Sequence, residues 1–143
     1  MAASTSTPSV MGVLETALYV EDLGRARDFY ARVFALAPMH ADARMLAFAI
    51  VPAQVLLLFL RGGSNAAVTL PGGSIPSHDG AGKLHVAFAI AAGDLRRWED
   101  RLGKLGVAIE ARMAWPRGGH SLYFRDPDQH LLELATPGLW PNY

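Results

Sequence analysis

The sequence predicts an α+β fold in which one β-α-β-β-β unit occurs twice, and three observations carry that prediction. First, the order of elements repeats. A β-rich run, an Asp-capped amphipathic stretch and further β-rich runs fill residues 13–61, and the same order fills residues 84–136. Second, the copies align at a nearly constant offset. Glu15–Val20 lies over His85–Ile90 at 70 residues, Asp22-Leu23 over Asp94-Leu95 at 72, and Val55–Phe59 over Leu131–Ala135 at 76. An offset that grows only where a loop absorbs residues is what duplication produces. Third, Gly62–Lys83, rich in Gly, Pro, Ser and Asn, separates the copies. The expected organisation is a flexible tail over 1–12 and a single domain over 13–143, with modules at about 13–61 and 84–136 joined by the 62–83 loop.

In the first copy, Val13–Val20 (VLETALYV) alternates and is rich in β-formers, which predicts a strand. Asp22 is placed to cap a helix over Leu23–Ala35, in which Leu23, Ala26, Tyr30 and Val33 share a face. Pro38 stops it. Strands Arg44–Val51 and Gln54–Arg61 follow through the tight Pro52-Ala53 link, while the strand expected before them is weak in sequence. In the second copy, Leu84–Ala91 predicts a strand. Asp94 then caps a helix to about Leu105, with Leu95, Trp98, Leu102 and Leu105 on one face and Gly106 ending it. Strands at about Val107–Ala114, His120–Arg125 and His130–Ala135 complete the unit. The helical basic residues Arg25, Arg27, Arg32, Arg96, Arg97 and Arg101 stand beside acids and read as solvated faces.

Composition narrows the function classes. The 143 residues suffice for one domain with a real core, and 13 basic against 13 acidic residues argue against a nucleic-acid footprint or a basic membrane-surface protein. Charged residues are 18% of the chain, below the roughly 25% of soluble domains, and 51% are hydrophobic, so part of the surface is expected to be hidden against a partner. The absence of cysteine excludes disulfides, thiolate nucleophiles and cysteine metal ligands. No apolar run is long enough to span a bilayer, and Met1–Gly12 lacks the basic and apolar regions of a signal peptide. A soluble, cytoplasmic protein is expected.

Strand parity locates the chemistry. Side chains alternate faces, so Thr16, Leu18 and Val20, like Val86, Phe88 and Ile90, would pack under the helices. The opposite faces collect Glu15, Ala17 and Tyr19; His85, Ala87 and Ala89; and Leu131, Glu133 and Ala135. Taken singly, a strand histidine is most often a hydrogen-bonded core residue and a strand glutamate often faces water. Three ionisable residues on apolar strands, all turned from the helices, point instead to pairing or to a metal. Imidazole and carboxylate suit Zn²⁺, Ni²⁺, Mn²⁺ or Fe²⁺. Gly62–Lys83 reads as a connector in preference to a lid, and Gly118-Gly119 as a turn that could also admit a ligand to the backbone. Ser121 and Tyr123 share a strand face and read by default as cross-strand partners.

Three stretches carry a family resemblance: Leu14–Leu23 with Phe29-Tyr30, then Leu84–Ile90, then Ser121–Leu134, where a strand, an Asp-Pro-Asp turn and a second strand lead to Glu133. On these the chain resembles the vicinal oxygen chelate superfamily, which includes glyoxalase I, fosfomycin- and bleomycin-resistance proteins and extradiol dioxygenases. The resemblance implies paired βαβββ modules forming a cupped mixed sheet around one divalent metal ion. It also implies a homodimer, often joining one chain's first module to the other chain's second. Family ligand positions fall here on Glu15, Leu57, His85 and Glu133. His85 and Glu133 match the family pattern, Glu15 stands where most members carry His or Gln, and Leu57 cannot bind a metal. Gln129 and Ala35 replace glycines at positions that concern backbone shape. Ser121 and Tyr123 align with residues that face the phosphonate in fosfomycin-modifying relatives.

One histidine with two carboxylates resembles a Lewis-acid site more than the two-histidine sites of dioxygenases. The expectation is a glyoxalase-like lyase or isomerase acting on a small substrate with vicinal oxygens. Its metal ligands would be Glu15, His85 and Glu133, with Glu133 or Glu15 moving the proton. Tyr123, Ser121, Trp115 and Arg117 would line the substrate site. The alternatives are an extradiol dioxygenase, a fosfomycin-type resistance enzyme, and a non-catalytic bleomycin-resistance-like dimer whose cup Tyr19, Phe59, Trp115 and Trp140 would line. Neither nucleic acid nor membrane is an expected partner.

Overall fold

The computed structural model describes residues 6–143; the first five residues of the expected tail lie outside the described residues, and 6–14 are exposed without regular structure. The elements are β1 (Glu15–Val20), α1 (Leu23–Phe34), β2 (His40–Ala41), β3 (Met45–Val51), β4 (Gln54–Leu60), β5 (Val68–Leu70), β6 (Gly73–Ile75), β7 (His85–Ala89), α2 (Leu95–Lys104), β8 (Ala111–Ala114), β9 (His120–Arg125) and β10 (Leu131–Ala135). They form two sheets of like order, β1-β4-β3-β2 and β7-β10-β9-β8, and a separate β5-β6 hairpin. In each four-stranded sheet the first strand runs parallel to the last, with Glu15 opposite Val55 and His85 opposite Leu131. The fold is thus α+β with two βαβββ modules. The weak strand of the first copy survives as two residues, His40–Ala41.

Local chemistry explains most helix ends. The Asp22 carboxylate accepts the Arg25 N–H at 2.8 Å, and Ala35 closes α1 in the left-handed region at φ 56°. Asp94 departs from expectation. It ends a 3₁₀ turn over Ala92–Asp94 with helical dihedrals, makes no side-chain cap, and pairs with Arg97 at 2.7 Å. A cap needs an extended residue at that position, and the 3₁₀ turn takes the extension away. The 62–83 segment is no plain connector, since Pro71-Gly72 turns a hairpin between Val68–Leu70 and Gly73–Ile75. Strand β8 is shorter than expected, starting only at Ala111.

The inner faces of both sheets and both helices share one core. Leu18, Val20, Leu56 and Leu58 from the first sheet join Leu122, Phe124, Leu132 and Leu134 from the second. Phe34 of α1 sits at the seam, its ring centroid 4.7 Å from that of Phe88, 5.7 Å from Trp98 and 6.2 Å from Phe124. Two of the arginines read as solvated cross-cap the helices instead. Arg101 donates to the Val33 and Arg32 carbonyls at 2.8 and 2.9 Å, and Arg32 donates to the Leu105 carbonyl at 3.0 Å.

Two buried polar links tie the modules further. Tyr30 donates to Asp126 Oδ2 at 2.9 Å. Fully buried His130 accepts the Leu84 N–H on Nδ1 at 2.9 Å, so Nε2 carries the proton and donates it to the Tyr19 carbonyl at 2.7 Å. The close approach that Gly119 permits is made by the chain itself, because a Cβ there would lie 2.7 Å from the Gly138 carbonyl carbon. The C-terminal segment folds back on the second sheet, where Tyr143 donates to the Ala135 carbonyl at 2.7 Å. Among the described residues no helix is long and apolar enough to cross a membrane.

Candidate metal centre

Because both sheets turn their inner faces to one core, their outer faces carry the remaining side chains away from it. On the second sheet that outer face holds a connected polar group. His85, half exposed at the start of β7, directs Nδ1 at the Leu131 carbonyl at 2.8 Å. A carbonyl only accepts, so Nδ1 bears the proton and Nε2 of the neutral ring presents a lone pair. That lone pair faces Glu133 Oε1 at 3.3 Å. Two acceptors aimed at each other need a cation between them, either a proton or a metal ion. A ring whose far N–H is held by a backbone carbonyl is the usual support of a metal-ligating histidine. The residues present therefore fit a divalent metal.

Glu133 is held on its other side. The residue is 5% exposed, and Oε2 accepts the Ser121 hydroxyl at 2.5 Å. Ser121 in turn accepts the Trp115 indole N–H at 2.8 Å. Register explains the cluster, since Glu133 lies opposite Tyr123 and Ala135 opposite Ser121 across β10 and β9. Burial pushes the Tyr123 phenol above its usual pKa, and the neighbouring Glu133 charge adds to the effect. Ser121 is thus committed to Glu133, with its single proton used. Arg117 sits exposed in the turn before β9.

Glu15 is elsewhere. It is exposed on the outer face of the first sheet, in a cavity of about 670 Å³ that it lines with Ala17, Tyr19, Arg44, Leu57 and His78 among others. Among the described residues no three His, Asp or Glu side chains converge on a metal-sized point. One chain accordingly brings together His85 and Glu133, with Ser121, Tyr123 and Trp115 around them, and leaves Glu15 apart. The reason is the shared core, which turns the two outer faces away from each other. Leu57 lies on the floor of the first cavity, opposite Ala17.

Sequence reasoning missed a second polar group in that cavity. Tyr19 stacks on Phe59 with ring centroids 5.8 Å apart, and its hydroxyl meets His78 Nδ1 at 2.7 Å. Parity placed Tyr19 on the Glu15 face, but no periodicity could place His78, which comes from the linker. Trp140, expected as a cup aromatic, is 68% exposed.

Comparison with known proteins gives consistent results. The family model described as the Glyoxalase/Bleomycin resistance protein/Dioxygenase superfamily matches residues 12–134. Over 128 residues the chain is 32% identical to the metallothiol transferase FosB of Bacillus licheniformis, covering 89% of this chain and 76% of that protein. A 53-residue stretch is 44% identical to the fosfomycin resistance protein FosX of Mesorhizobium japonicum, covering 36% of this chain and only 38% of that relative. The crystal structure of a lactoylglutathione lyase from Agrobacterium tumefaciens superposes with a TM-score of 0.85 at 31% identity, covering 94% of this chain and 99% of that one.

Proposed function

We propose, starting from the fact that this chain belongs to the glyoxalase/bleomycin resistance protein/dioxygenase superfamily, that it is a divalent-metal-dependent lyase or isomerase acting on a small substrate with neighbouring oxygens. The observation that carries the reading is His85 Nε2 facing Glu133 Oε1 at 3.3 Å, with each group anchored from behind. His85 and Glu133 would hold the ion, and Glu15 of the partner subunit would complete the site in a homodimer. Several features favour that assembly. Strands β1 and β7 are free sheet edges. Val13, Leu14 and Val51 are more than half exposed. A two-fold dimer would also bring each outer face of one chain to the complementary face of the other.

A bound divalent ion would supply Lewis-acid polarisation of the substrate oxygens. The chain's own residues do the rest. The Ser121 hydroxyl and burial hold the Glu133 carboxylate, which suits a permanent ligand. Glu15, exposed and without a hydrogen bond or ion pair among the described residues, is free to take a proton from substrate carbon on its carboxylate and return it. Tyr123, beside Glu133 with its phenol kept neutral, can donate a hydrogen bond to a substrate oxygen. A cytoplasmic location accords with this reading.

The test is metal content on wild type, His85→Ala and Glu15→Gln, followed by mixing the two variants. Wild type should bind about one Zn²⁺ or Mn²⁺ per chain and His85→Ala none. A heterodimer of the two variants should regain one intact site, because its two lesions then fall in the same site. No metal binding by wild type would refute the reading, and no recovery on mixing would refute the shared site. A second reading, a thiol- or water-adding fosfomycin-resistance enzyme, is favoured by the likeness to FosB and FosX. Protection of a sensitive strain from fosfomycin would select it.

A further inference from the structure

The first-sheet cavity has two unlike ends, and the register fixes which residues stand at each. Across β1, β4 and β3, Glu15 lies beside Val55, and Val55 beside Ala49. At the other end Tyr19 lies beside Phe59, and Phe59 beside Met45, the residue after Arg44. Between the ends the floor is Ala17, Leu57 and Ala47, which offers neither charge nor bulk. Glu15 and Tyr19 stand four steps apart on β1, about 13 Å at roughly 3.3 Å per residue.

The Tyr19 end is built and basic. Ser64, 1% exposed, organises it: its hydroxyl accepts from Arg44 Nη1 at 3.3 Å, and its carbonyl accepts the His78 N–H at 2.9 Å. The His78 ring is held by the Tyr19 hydroxyl on Nδ1 and by Phe59, whose centroid is 4.5 Å away at 74°. The linker is pressed against this end so closely that a Cβ on Gly80 would lie 2.4 Å from the Tyr19 ring. In the tautomer where the Tyr19 phenol donates to Nδ1, Nε2 is left as an N–H donor. Arg44 has no carboxylate within ion-pair distance among the described residues. The nearby acids are occupied, Asp42 by His40 and by the Arg44 and Met45 backbone, and Asp79 by the Gly62 N–H.

We propose that Arg44 and His78 form an oxyanion subsite, so that the substrate is an elongated molecule with vicinal oxygens at one end and a carboxylate or phosphate-type group at the other, held at the Tyr19 end of the cup. A guanidinium and an imidazole that line the same cavity and are both tied to Ser64 suit an oxyanion, which the guanidinium would bind by charge-assisted hydrogen bonds. The apolar floor accommodates the methylenes between the two ends. A three-carbon substrate would fill one end only. The inference deepens the function proposed above and rests on it solely for the position of the substrate's head.

The subsite is testable without metal. Inorganic phosphate titrated into metal-free protein labelled with ¹⁵N-histidine should shift the His78 ring resonances saturably. Arg44→Gln should weaken that response at least tenfold and Arg44→Lys restore most of it, while Glu133→Gln leaves it unchanged. Equal titration of wild type and Arg44→Gln, or no response at His78, would overturn the subsite. A second arm uses metal-loaded protein and 2-hydroxy acids carrying a terminal carboxylate on chains of increasing length. Affinity should rise to an optimum length in wild type and lose that optimum in Arg44→Gln. Failure of metal to load would count against the metal centre alone, because the phosphate arm reads Arg44 and His78 independently. A flat length dependence on loaded protein would count against the subsite alone.

Discussion

Replacing Ser121 by Ala tests how Glu133 is prepared for a metal. The Ser121 hydroxyl donates at 2.5 Å to Glu133 Oε2 and is 1% exposed, so the bond it makes to a carboxylate is shielded from water. A hydrogen bond to a charged group contributes about 1.5–3 kcal/mol. Loss of a supporting partner of a metal ligand lowers affinity roughly 10–100-fold, or about 1.4–2.7 kcal/mol. The two ranges agree, and Ser121→Ala should weaken Zn²⁺ or Mn²⁺ binding within them. The substitution also strips the Trp115 indole N–H of its acceptor. That group is only half buried, so most of the cost is the lost bond to the buried Glu133 carboxylate, and stability should fall by about 1.5–3 kcal/mol. The assay is competition against a chromogenic chelator, with urea denaturation as the control. Metal affinity unchanged in a folded Ser121→Ala protein would show that the hydroxyl does not position Glu133, and the argument for Glu133 as the fixed ligand would fail.

Two further predictions concern the core. Burial, reinforced by the Asp126 charge, holds the Tyr30 phenol well above its usual pKa. The unfolded chain ionises near pH 10 while the folded phenol stays neutral, so this contribution is complete below about pH 10 and is lost as pH rises beyond it. Tyr30→Phe should therefore lower stability at neutral pH by about 1–3 kcal/mol, because Asp126 Oδ2 loses its donor. The loss of stability between about pH 9 and 11 should also be smaller than in wild type; equal slopes in urea midpoints would contradict it. His130→Leu leaves the partly buried Leu84 N–H without an acceptor and takes a donor from the Tyr19 carbonyl. It should cost about 2–4 kcal/mol by the same measurement, and a loss below about 0.5 kcal/mol would mean that the link between the modules contributes nothing net.

The sequence by itself determined the elements and which side chains share a face. Period-two alternation wrote β1, β7, β9 and β10, and Asp22 with Ala35 bounded α1, because these are local properties of the backbone. The same alternation put His85 and Glu133 on outward faces and Ser121 with Tyr123 on one face of β9, and the strand register then brings the two pairs to one side of the second sheet. The Asp-Pro-Asp turn and the strand after it were legible for the same reason.

Other features were decided only by tertiary structure. Whether Glu15 joins His85 and Glu133 depends on which faces two separate sheets turn to their common core, and no local pattern encodes that choice. The hairpin at Val68–Ile75 has strands of three residues, too short for alternation to register. Arg32 and Arg101 look like surface charges until the two helix ends meet, when each finds carbonyls on the other helix. His78 is an unremarkable loop residue until packing sets it against Tyr19, 59 positions away. Periodicity records the direction of a side chain relative to its own element; its partners are fixed only when elements distant in sequence share the burial of one apolar surface.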